Sequence, residues 1–233
     1  MADTSKNAMG SVLQAFKMHS VWLRDRSKGH QAKLVNANIS GFDLSKSDLR
    51  KIEMPSANCF KANLQEANLS DADLFAADMR ETNLSGANLK NSVLRGVLFK
   101  GAKLDHANLD GADFRGGTVL GAGGKSIGRN SADLTDCVLD FASLARAQMT
   151  GANLEGASLK GANLKGAHLA GANLSNVDLT GADLSKANLS KASLKIHCSR
   201  TPNLKGLTYG TRMSMVPISR ALILMVQNFK VST

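Results

Sequence analysis

From Leu34 to Leu194 an apolar residue returns at every fifth position. Of the 33 positions in that register, 31 are apolar and 23 are Leu, and two residues before each of them 23 of 33 are Ala. Gly124 and Arg129 are the two failures. The residue just before the centre favours Asn or Asp, as in Asn153, Asn163, Asn173 and Asp183. Polar residues and Gly follow the centre, as in the run GANLKGAHLAGANLS from Gly161 to Ser175. The unit is therefore A-(N/D)-L-x-x, held in one phase.

Five residues suit neither regular element. Along an α-helix they advance about 140° beyond a full turn, which scatters the leucines around the axis. Along a flat strand they place successive leucines on opposite faces. One dry interior results only if the chain turns the same corner between leucines. A corner of about 90° closes a square coil of roughly 20 residues, and such coils stack at about 4.8 Å. The pattern predicts an all-β solenoid with Leu and Ala inside. Asn and Asp bond nearby backbone at the corners, and Gly supplies positive φ there.

The runs ANLQEANLSDADL (Ala62–Leu74) and GADLSKANLSKASL (Gly181–Leu194) resemble the bacterial pentapeptide-repeat family. That resemblance implies a right-handed quadrilateral β-helix. It also implies a binding role, since the best-known members bind DNA gyrase by imitating duplex DNA, some conferring quinolone resistance. Fold alone leaves the activity open.

The ends break the pattern and divide the chain into residues 1–31, a repeat body over 32–207, and 208–233. In SVLQAFKMHSVWLRDRS (Ser11–Ser27), Val12, Ala15, Phe16, His19 and Leu23 recur at helical spacing. This predicts a helix that lays Phe16, Trp22 and Leu23 over the open end of the first coil, where bare backbone would otherwise invite stacking. His19-x-x-Trp22-Leu23 resembles a leader found before the repeats in some bacterial members, and His19 is read as a surface or cap-packing residue. In the tail, a short helix to about Asn228 is expected to close the last coil or to pair two chains; the mass of a chain lacking residues 208–233 tests the pairing. Arg220 and Lys230 flank that segment, which also suits an anionic surface.

Residues 115–131, RGGTVLGAGGKSIGRNS, interrupt the body but keep its phase. They fit either one distorted coil, with Gly124 and Arg129 bulged outward, or an excised loop; the surviving phase favours the coil. GAGGKS lacks the gap of a Walker A loop and no β-α unit mounts it. Lys125 and Arg129 here, with Arg212 and Arg220 in the tail, are the candidate partner contacts.

Charge sharpens the functional reading. The chain carries +10. Residues 1–33 hold six basic and two acidic residues, residues 195–233 six basic and none acidic, and residues 34–194 seventeen of each. A neutral body makes a poor duplex mimic. Glu53, Asp73, Asp113 and Asp133, at twenty-residue spacings or multiples, are expected to line one side with Lys33, Arg95 and Arg115 as a mixed, solvated face. Cys59 and Cys137 take inward slots, and the three cysteines form neither a disulfide framework nor a zinc spacing. The five histidines are scattered and no catalytic, cofactor or metal set is nominated. The N-terminus lacks a secretory apolar segment and Ala221–Val226 is too short to span a bilayer, so a cytoplasmic address is expected. The leading expectation is a non-catalytic scaffold for another protein. Topoisomerase-directed binding, or attachment of the basic ends to nucleic acid or an anionic surface, is the alternative.

Overall fold

A computed structural model describes residues 2–120 and 126–197. Parallel backbone bridges join residues twenty apart along four rows that begin at Lys33, Asn38, Asp43 and Asp48. This is the twenty-residue coil that the leucine spacing demands. One side illustrates them all. Leu64 N–H donates to Asn83 O at 2.7 Å and Glu66 N–H to Ser85 O at 2.9 Å, tying the coil to the next one. Ala67 N–H closes the corner on Leu64 O at 3.0 Å. Glu66, the third residue of that turn, has φ 56°. A turn with positive φ only at its third residue is type II, which is why Gly is frequent there, as at Gly161 with φ 63°. The Asn or Asp before each core residue serves the corner too. Asn68 Oδ1 accepts Ser70 N–H at 3.2 Å. Amides also bond along a row: Asn83 Nδ2 to Asn63 Oδ1, and Asn63 Nδ2 to Asp43 Oδ1.

The interior is one continuous column of Leu and Ala, nearly all fully buried. Thr82 and Ser92 occupy Ala slots, and each returns its hydroxyl proton to the carbonyl three residues back, Met79 and Leu89, at 2.7 Å. Cys59 and Cys137 lie inside, where burial pushes both thiols up to about 12, far from the nucleophilic thiolate. Near the C-terminal end of the described body, β3 (Asn173–Asp178) pairs in parallel with β4 (Ser193–His197), irregular between Ser175 and Val177.

The distorted coil expected over 115–131 does not occur. The four rows step by 35 residues there instead of 20: Leu98 bridges Asp133, and Asp113 bridges Gln148. Fifteen residues therefore leave the coil. Among them, β1 (Gly117–Leu120) and β2 (Ser126–Asn130) pair as an antiparallel hairpin. The physical reason is the one the two failures signalled, since Gly124 fills no interior and an unpaired Arg129 is too costly to bury. Three units are absent from the column, so it is about three-quarters of a coil shorter than 33 units would make it. Every face after the hairpin is also re-assigned. Asp113 is followed in its row by Gln148 and His168, whereas Asp133 continues the row of Asn58, Asp78 and Leu98. Asp133 is thus not on the side of Glu53, Asp73 and Asp113, and the expected four-acid row is corrected to three.

The first coil is covered by α1 (Ala2–Arg24), which starts earlier than Ser11. Val12 and His19 are buried, and Ala15 and Phe16 pack against the column. Trp22 stacks on His19 at 5.5 Å and lies beneath Arg26 rather than on the core. Leu23 is only half-buried. His19, 1% exposed, is a joint rather than a surface group. Ala32 N–H can only donate, so Nδ1, at 3.1 Å, accepts; Nε2 then carries the proton and donates to Arg50 O at 3.1 Å. Burial holds this imidazole below its ordinary value of 6.5, against the raising effects of the Arg50 carbonyl and Asp48, while Arg26 adds to the lowering.

A pH dependence follows. The folded chain binds this proton less readily than the unfolded chain, so the joint contributes fully above about pH 6.5 and fades as pH falls through the lower folded value. Acidification from pH 7 to 5 is expected to lower the melting temperature or expose α1 to proteolysis. His19→Ala should cost about 1–3 kcal/mol at pH 7, by leaving Ala32 N–H unsatisfied, and flatten that pH profile. Equal pH profiles for parent and variant would refute the assignment.

Candidate functional site

The rows keep their twenty-residue step except at the hairpin, so its foot is where the coil's course departs from bare scaffold. The hairpin leaves the column after Phe114 and Arg115 and returns at Ser131. Its pairing runs Gly117 to Asn130, Thr118 to Arg129, Val119 to Gly128 and Leu120 to Ser126, with an irregularity between Val119 and Leu120. Gly117 lets the chain pass close to the rod at the foot. A Cβ there would lie 2.7 Å from the ring of Phe75, which stands two coils before Arg115 in that arginine's row, and 3.6 Å from Arg95 O. The first strand thus lies over the outer face of the rod at Phe75 and Arg95. Inside that same coil, Phe99 and Phe114 meet at 6.4 Å and fill the column where the hairpin departs.

Beside the foot is a concavity of about 460 Å³ lined by Arg95, Arg115, Gly116, Ser131, Thr150 and Gly151. Arg95 and Arg115 stand one above the other on this face. Arg115 is bound by Asp113, with Nε and Nη2 at 2.9 and 2.8 Å from the two carboxylate oxygens. Burial pushes the Asp113 carboxyl up, but the bonds from Arg115 and the charges of Arg115 and Arg95 together hold it below its ordinary range. Arg95 Nη2 donates to Gly116 O at 3.4 Å, a long bond that ties rod to hairpin.

The nominated contacts fall unevenly against this geometry. Lys125, Arg212 and Arg220 lie outside the described residues, as does the whole of 208–233. Arg129 is placed in β2 opposite Thr118. Arg95 was visible in the sequence only as a flank of the acidic row, although a local signal marked it, namely an arginine in the outward slot with Val93 where other units carry Asp. A second concavity of about 750 Å³ runs between α1 and the first coil, past Met9, Val12, Val35 and Phe42. On another corner Phe141, 61% exposed, stacks on His106 at 5.3 Å. Among the described residues no helix is long and apolar enough to cross a membrane.

Comparison with known proteins agrees with the coil. A sequence model of pentapeptide repeats matches in eight copies, over residues 56–91, 77–116, 130–166 and 157–195, leaving out most of the hairpin. No curated protein matches the chain. Among solved structures, HetL of the cyanobacterium Nostoc sp. strain PCC 7120 is a pentapeptide repeat protein involved in heterocyst differentiation regulation. It is 33% identical over 76% of this chain and 84% of its own, with a TM-score of 0.41. Trypsin-treated QnrB1, a plasmid-mediated fluoroquinolone resistance protein, is 18% identical over 84% of this chain and 87% of its own, with a TM-score of 0.51. The latter likeness concerns the fold alone.

Proposed function

The chain belongs to the pentapeptide-repeat family, and from that premise we propose that it is a non-catalytic cytoplasmic scaffold, a right-handed quadrilateral β-helix whose hairpin and adjoining face dock another protein. One observation carries the reading. A hairpin is expelled from a coil that needs no such excursion to continue, and its foot rests on the rod through Gly117, Phe75 and Arg95. Irregular excursions on a rigid support are where binding residues concentrate. The support is stiff because corner after corner is tied to the next coil, so a partner meets a pre-formed surface and little ordering is needed on binding. Lys125 and Arg129 belong to the docking element in this proposal, with Arg212 and Arg220 as contacts from the tail.

The test removes residues 117–131 and compares host proteins cross-linked to parent and variant. A partner held by the parent and lost by the variant is expected; the same set on both would sink the reading. A second reading, action on a DNA topoisomerase, draws on the fold shared with a fluoroquinolone resistance protein. The equal basic and acidic counts of residues 34–194 weigh against duplex mimicry, so micromolar protein is expected to leave gyrase supercoiling unchanged.

A further inference from the structure

Four arginines of the described coil occupy the outward slot just after a core residue: Arg50, Arg80, Arg95 and Arg115. Three of them follow an Asp by two residues, and the same fork forms each time. Arg50 Nε and Nη2 lie 2.7 and 2.7 Å from the Asp48 carboxylate oxygens. Arg80 lies 2.8 and 2.6 Å from Asp78, and Arg115 lies 2.9 and 2.8 Å from Asp113. The backbone geometry of this slot therefore presents a guanidinium edge to a carboxylate, a match that is bidentate and charge-assisted.

Arg95 breaks the series. Val93 stands where the Asp belongs, so the fork lacks the carboxylate that the other three receive from their own unit. Among the described residues its Nε is buried with no hydrogen-bond partner and its Nη2 has only the long bond to Gly116 O. A buried donor left unpaired is costly, and native proteins rarely tolerate one without a use. The same side chain lines the concavity at the hairpin foot, beside Arg115 and the hydroxyl-bearing Ser131 and Thr150. No carboxylate is among the described residues that line it, and Asp113, two residues before Arg115, is engaged by that arginine's fork and also accepts Arg115 N–H at 3.0 Å. Two guanidinium groups and no carboxylate leave the described lining positive.

We propose that this concavity is a carboxylate-binding site centred on Arg95, filled by an Asp or Glu side chain from an acidic segment of a protein partner. The three internal forks are the template: the partner supplies to Arg95 what Asp48, Asp78 and Asp113 supply to their neighbours. Only the source of the carboxylate rests on the scaffold reading; the site itself rests on the four-arginine comparison.

The test is titration of the full chain with an end-blocked tetraglutamate peptide. It is followed by calorimetry and by the NMR signal of the Arg95 Nε–H, with tetraglutamine and inorganic phosphate as comparison probes. Tetraglutamate is expected to bind and to shift that signal, tetraglutamine to do neither, and phosphate to bind more weakly. Val93→Asp restores the missing internal acceptor in a slot that already takes Asp at Asp73 and Asp113 in the same row. It should weaken tetraglutamate binding by roughly tenfold or more. Asn58→Asp, a charge-matched change on another face, should bind as the parent does. Arg95→Lys, which keeps the charge and loses the fork, should fall with Val93→Asp. Equal binding by parent, Val93→Asp and Arg95→Lys would overturn the site, as would phosphate binding tighter than the peptide. Loss of peptide binding in both variants supports the site even where deletion of the hairpin leaves partner capture intact, a result that would sink only the docking reading.

Discussion

Leu164→Asp is expected to unfold the C-terminal coils while the N-terminal coils stay protected. Leu164 is 1% exposed in a column of Leu and Ala, stacked between Leu144 and Leu184, with its N–H bonded to Asp183 O at 2.7 Å. A carboxylate there finds no polar side chain, and burying an unpaired charge costs several kcal/mol at least. Leu164→Ala keeps the interior dry and should cost about 2–5 kcal/mol, for lost transfer energy plus a cavity. In a solenoid each coil is stabilised by its neighbours alone, so damage spreads outward to the nearer free end rather than across the rod. Amide exchange should show protection lost over residues 164–192 in the Asp variant and kept over residues 64–109. A variant that melts as the parent does would mean that the interior is not the continuous apolar column described here.

The column itself was legible in the sequence because every unit meets the same environment, so one physical demand repeats until the period is unmistakable. What escaped were events whose partners lie far along the chain. His19 gives no local sign of its role, since both its partners are backbone groups, Arg50 O and Ala32 N–H. The start of α1 was missed because residues 2–10 are mostly polar and contain Gly10, so only the stripe from Val12 onward carried periodicity. Gly124 and Arg129 mark the hairpin, but the unbroken phase hides it. Counting in fives cannot detect the removal of fifteen residues, because fifteen is three units and the phase closes over the gap. The same arithmetic carried Asp133 to the wrong face. Faces repeat every twenty residues, fifteen is not a multiple of twenty, and the error therefore persists to the end of the rod. Asp113 facing Gln148 is what reveals it.

That arithmetic also says how the hairpin can be taken away. Deleting residues 117–131 joins Gly116 to Ala132 and leaves Phe114-Arg115-Gly116-Ala132-Asp133-Leu134, a five-residue step between core residues with Gly at the corner and Ala-Asp-Leu after it. The row order already places Asp133 on Leu98, and Leu134 follows Phe99 in the column. No core residue changes face, so the shortened chain is expected to fold to the same rod. Its melting temperature should match the parent's or exceed it by a few degrees, because closing a shorter connection costs less chain entropy. Phe75 loses its cover from Gly117, which is a small apolar exposure at one surface position. Partner capture, by contrast, is expected to disappear, because in the docking reading the hairpin carries recognition and the coil carries stability. The two measurements bear on different claims. A deletion variant that unfolds would show that the hairpin is structural, whereas one that folds and keeps the partner would move the docking surface elsewhere on the rod.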